Sequence, residues 1–162
     1  MTKLWHRAVL VLALLTAAPA WAEDLYWRNF DYLNQADRAQ AEETLTEMFG
    51  GTVELWPDWI EPSAIQIPAG PGKTLMIVRY PLRLPCGENA FFIFGPATPE
   101  GRPRLGDRFC AGALTGVFAQ PKLPWLDLQF AGYGEQGADG QWHDRTIRLR
   151  WTDKGWMIYP PV

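Results

Sequence analysis

Two apolar runs, residues 74–80 and 90–94, constrain this chain most. Both are rich in β-branched and aromatic side chains, which suit a pleated, buried surface. In the first, Leu75, Ile77 and Arg79 alternate with Met76, Val78 and Tyr80. Both faces are therefore largely apolar, as expected of a central strand covered on each side. Pro81 and Pro85 stop or bend it, since proline removes a backbone donor. The surrounding stretch, 73–118, holds both cysteines of the chain, Cys86 and Cys110.

How those cysteines are read depends on residues 1–22. Lys3, His6 and Arg7 give a basic start, residues 8–20 are apolar apart from Thr16, and Ala20-Trp21-Ala22 is a small-x-small cleavage site. That is the pattern of a secretory signal peptide. Its apolar run is too short for a permanent span, which needs about 20 residues. The expectation is an exported, periplasmic protein, with residues 23–162 as one domain and no permanent membrane span. In an oxidising compartment an isolated cysteine pair is usually bonded. The sequence therefore predicts a disulfide between Cys86 and Cys110, tethering the long 95–107 loop.

One helix is clear, over residues 34–49. Asn34 is a good N-cap, and Asp37 suits the positive end of the helix dipole. Ala41, Leu45, Met48 and Phe49 form one apolar stripe, and Gly50-Gly51 ends it. Short strands are expected at 52–55, 64–67 and 113–118. Residues 126–131 and 146–151 alternate apolar and polar, the pattern of half-buried antiparallel strands. Between them 132–140 reads as a glycine-rich connection with Asp139-Gly140 as its turn. Residues 152–155 read as a tight hairpin turn into a final strand at 156–159. The fold class is α+β: one N-terminal helix on a twisted, mainly antiparallel sheet of five to seven strands, with one disulfide. A sandwich or partly open barrel, with the helix over one end, is the competing arrangement.

The chemistry-bearing inventory is thin. Without Lys3 and Arg7, 13 basic residues face 18 acidic ones, a net charge of −5. Such a balance argues against nucleic acid, whose affinity comes mainly from Lys and Arg on phosphates. After residue 22 there is one serine, Ser63, and one histidine, His143. No nucleophile elbow, phosphate-cradling glycine loop or dinucleotide fingerprint surrounds them. One histidine is too few for a zinc site, so no metal and no cofactor are expected. Glu135, Asp139 and Asp144 offer oxygen ligands in a glycine-rich loop, but not at EF-hand spacing. A carboxylate pair for glycoside hydrolysis has no specific signal among 18 acids.

The aromatics are more suggestive. Tyr26, Trp27, Phe30 and Tyr32 open the mature chain and read as a segment packed on the body. Trp56, Trp59 and Trp142 lie in proline-, glycine- or charge-containing loops, and exposed tryptophan is enriched in binding hot spots. The leading expectation is a non-enzymatic domain that binds another envelope or periplasmic protein: an envelope accessory, an inhibitor or an immunity-type protein. Trp56, Trp59 and Trp142, with Arg102 and Arg104 of the 95–109 loop, are its candidate contacts. The alternatives are a binder of cell-wall glycan or a small apolar ligand through those tryptophans, and a carboxylate-based hydrolase.

Overall fold

The two-faced run becomes β3 (Thr74–Pro81), the middle strand of a five-stranded antiparallel sheet. The computed structural model describes residues 26–50, 61–81, 89–118, 126–136, 138–152 and 155–159. The first sheet runs in the order β1 (Arg28–Asn29), β2 (Ser63–Pro68), β3, β4 (Asn89–Phe94), β5 (Phe109–Ala111). Leu75 and Ile77 join one apolar core, while Met76, Val78 and Tyr80 join another on the opposite face. The alternation of β3 thus predicts its position correctly. Burial also pushes the Tyr80 phenol up to about 12 and keeps it neutral.

The single-sheet expectation is corrected. Among the described residues nine strands divide between two sheets, the second being β6 (Ala113–Phe118), β7 (Asp127–Gln136), β8 (Trp142–Thr152) and β9 (Gly155–Tyr159). The fold is therefore mostly β, with α1 (Gln35–Phe49) as the one α-helix among the described residues. Side chains from both sheets meet in one core: Ile77, Phe91 and Ile93 from the first, Leu128, Phe130 and Ile147 from the second. The competing sandwich is the nearer description, but α1 covers the outer face of the first sheet rather than an end. The physical cause is a corner. β5 and β6 are separated only by Gly112, whose N–H donates to Ala131 of β7 at 2.9 Å. The chain leaves one sheet and enters the other within a single residue.

The glycine-rich connection is also corrected. β7 continues to Gln136 and β8 begins at Trp142, so most of 132–140 is strand and only its tip turns. The pairing register slips between Phe130 and Tyr133, where Gly132 takes φ 69°. That is a β-bulge built on a glycine free to adopt positive φ. The expected strand at 52–55 lies outside the described residues.

The helix follows its sequence signals closely. Asn34 Oδ1 accepts from Asp37 N at 2.9 Å, and Gly50 closes the helix in the left-handed conformation at φ 65°. Ala41 and Leu45 are fully buried and Met48 is half-buried. The buried face also carries two polar residues, Asp37 and Thr44. Two fully buried apolar side chains stabilise helix docking by only a few kcal/mol, at about 1.5–3 kcal/mol for a leucine. A polar anchor fixes where the helix sits.

That anchor is Arg102, brought in by the long loop. Its side chain is 5% exposed and pairs with Asp37, itself 4% exposed, at 2.6 Å. All five guanidinium donors are satisfied. Nε and Nη2 bond the two Asp37 oxygens, Nη1 bonds the Thr74 and Gly95 carbonyls, and Nη2 also reaches Thr74 Oγ1. The Gln40 amide closes the same junction, donating to the Arg102 carbonyl and accepting from its N–H. Further along, Leu105 N bonds Ile93 O at 2.7 Å, and Trp156 Nε1 bonds Leu105 O at 3.0 Å. These contacts tether the long loop to the first sheet and to β9. No disulfide joins two described residues: Cys110 lies on β5, Cys86 lies outside the described residues, and none of the described cysteines is a free thiol.

Candidate functional site

β1 contributes only two residues to the first sheet. Arg28 pairs with Ala64 and Asn29 with Ser63, after which the 3-10 turn Phe30–Tyr32 carries the chain towards α1. The turn forms because Phe30 must bury among Met76, Val78 and Tyr80 on the helix side of the sheet. The far end of β2, residues 65–68, therefore has no described strand beyond it.

The register fixes what that edge displays. Ala69 N donates to Lys73 O at 2.8 Å, and in an antiparallel ladder bonding groups alternate along the strand. Ile67 and Ile65 thus direct their backbone groups towards β3, opposite Leu75 and Ile77. Gln66 and Pro68 direct theirs outward. The open edge presents the Gln66 N–H, the Gln66 carbonyl and the Pro68 carbonyl. Pro68 has no N–H to leave unsatisfied, which is why proline is tolerated at an edge.

A groove of about 360 Å³ runs along this edge, with Tyr26, Arg28, Tyr32 and Leu33 facing residues 64–68. Tyr26 is 73% exposed and Tyr32 72%, the two most exposed of the large apolar side chains described. Among the described residues Arg28 is the only charged side chain lining the groove, and its guanidinium carbon lies 5.8 Å from the Tyr26 ring centroid. The floor is held rigidly. Gln66 Nε2 donates to Asp37 Oδ2, tying β2 to the same buried carboxylate that holds Arg102. A second groove, of about 430 Å³, lies on the other side of α1, between Met48, Phe92 and the loop residues Arg104, Asp107 and Arg108. Its charges are mixed, and Arg104 is joined to Glu47 at 3.4 Å in an exposed pair of little energetic weight.

The residues singled out from sequence are dispersed. Trp56 and Trp59 lie outside the described residues. Trp142 begins β8, opposite Gln136, rather than lying in a loop. Arg102 is spent entirely on the fold and offers no charge to a partner, whereas Arg104 is exposed at the second groove. The opening aromatic segment splits. Trp27 and Phe30 pack inward as expected, but Tyr26 and Tyr32 face solvent. The signal for them was there: four aromatics in seven residues exceed what a two-residue strand and one turn can bury.

No catalytic constellation assembles among the described residues. Ser63 is buried on β2, where its Oγ accepts from Arg79, while His143 is exposed on β8 in the other sheet. His143 contacts Asp139 at 3.1 Å. The Asp139 carboxyl is held below its ordinary range by the Gln141 N–H and then by His143. No group of three His, Cys, Asp or Glu side chains converges as a metal site among the described residues. Of the described helices, none is long and apolar enough to cross a membrane. No family model matches the chain, and neither curated proteins nor solved structures give a significant match.

Proposed function

We propose that residues 1–22 export the chain and that the mature domain is a non-enzymatic periplasmic protein-binding module. It takes an extended segment of another envelope protein along the open edge of β2. The observation that carries this reading is the exposed pair Tyr26 and Tyr32 beside three outward-facing backbone groups of Gln66 and Pro68. Strand addition draws affinity from main-chain hydrogen bonds and specificity from flanking side-chain pockets. Tyrosine is among the residues most enriched in binding hot spots. An edge of four residues supports a modest, reversible contact, of about micromolar affinity.

The test separates the edge from the side chains around it. A photo-cross-linking residue replaces Tyr32 in the exported protein, and a second probe replaces Met157, an exposed apolar residue on β9. Tyr32 is expected to yield one discrete protein adduct in the cell envelope, and Met157 none. Gln66→Pro removes the outward N–H together with the Gln66 side-chain bond to Asp37, and is expected to abolish the adduct, with Gln66→Ala as the control for the side chain. Gln66→Ala keeps that N–H and is expected to preserve it. An adduct indifferent to Gln66→Pro, or shared equally by Met157, contradicts the reading.

A further inference from the structure

Arg79 is half-buried on the sandwich-facing side of β3, beside the Ser63 hydroxyl and a tryptophan ring, with no acid in contact among the described residues. It stands on β3 opposite Ser63 of β2 and Phe91 of β4. Its Nε donates to Ser63 Oγ at 3.0 Å, and its guanidinium carbon lies 4.8 Å from the Trp27 ring centroid. Trp27 is itself held against Phe91, 6.0 Å between ring centroids. Burial lowers the Arg79 pKa, and no charged neighbour acts against that.

Two other buried or part-buried arginines are compensated by acids. Arg102 has Asp37, and Arg150 holds Asp127 through Nη2 at 2.6 Å. Among the described residues, Arg79 has no carboxylate within ion-pair distance, and its two terminal nitrogens make no hydrogen bond. Withdrawing a cation from water without a counter-charge is costly, and guanidinium cannot escape by deprotonating.

We propose that Arg79, Ser63 and Trp27 form a binding site for a single carboxylate. The carboxylate takes the Nη1–Nη2 edge of Arg79 as a bidentate pair. Ser63, whose oxygen already accepts from Nε, has its own hydroxyl proton to donate. Trp27 fixes the guanidinium plane by stacking and walls the site against water. The single positive charge balances one negative charge, and the planar fork matches a planar anion. A phosphate dianion would remain half-compensated. This site does not depend on the β2 edge reading, since a blocked edge leaves Arg79 unchanged.

The probes are sodium acetate, N-acetyl-alanyl-alanine and the corresponding amide, each added to the mature protein at constant ionic strength against sodium chloride. Tryptophan fluorescence and thermal unfolding are followed. Both carboxylates are expected to give a saturable change in fluorescence and a rise in Tm, and the amide and chloride none. Arg79→Gln is expected to abolish the response. Arg79→Lys keeps the charge but loses the fork, and is expected to weaken it at least tenfold. If Arg79→Gln does not fold, the Arg79→Lys comparison alone decides. A dipeptide binding at least tenfold tighter than acetate identifies a chain terminus as the source, and equal binding identifies a free small carboxylate. No saturable carboxylate response beyond chloride, or one unchanged in both variants, overturns the site.

Discussion

Asp37→Ala is expected to cost about 3–5 kcal/mol, because it strands Arg102 as an uncompensated charge in the interior. That is a large share of the roughly 5–15 kcal/mol by which domains of this size are stable. The asymmetry of the pair sharpens the expectation. Without Arg102, the Asp37 carboxylate keeps Asn34 Nδ2 and Gln66 Nε2 as donors and sits in the first turn of α1. Helix-dipole attraction favours an anion there. Without Asp37, Arg102 keeps only carbonyls and a hydroxyl. Asp37→Ala should therefore be worse than Arg102→Met. The combination of Asp37→Ala with Arg102→Met should recover at least about 2 kcal/mol relative to the sum of the single changes, since it removes both buried charges. Urea denaturation of the four proteins measures this directly. Additive losses would mean that the helix and the loop are not held through this pair.

Phe91→Ala and Phe92→Ala are each expected to cost about 3–5 kcal/mol. They are neighbours on β4, so their side chains point to opposite faces of the sheet. Phe91 packs in the sandwich core, with Phe130 at 5.0 Å and Phe109 at 5.6 Å between ring centroids. Phe92 faces α1 in the other core. A single sheet covered by one helix would bury only one of them well. Two large losses from adjacent positions are what a three-layer arrangement requires, and a loss below about 1 kcal/mol at either position would contradict it.

These two positions also show what the sequence could and could not reveal. Periodicity is a local property, and it placed β3 in the middle of a covered sheet from Leu75–Tyr80 alone. Capping is local too, so Asn34 and Gly50 bounded α1 correctly. The split into two sheets hangs on Gly112, a single residue between two apolar stretches that gives no sign of a corner. The Asp37–Arg102 pair joins positions 65 residues apart, beyond any local pattern. Charge led the reading to place Arg102 outside with Arg104, although its five donors all find partners within the fold. The exposed edge of β2 is equally non-local. Nothing within residues 63–68 says that β1 ends after two residues, and only the neighbouring strand decides whether Gln66 faces a partner or a ladder.

The central claim is that β2 offers an unoccupied edge, and residue-resolved amide hydrogen exchange on the mature protein tests it without any partner. The Ile65 and Ile67 amides, bonded to β3, should be protected by at least about 100-fold more than the Gln66 amide between them, which should exchange as an open group. Protection of Gln66 equal to that of its two neighbours would mean that the edge is already filled, and with it the proposed docking surface would be lost.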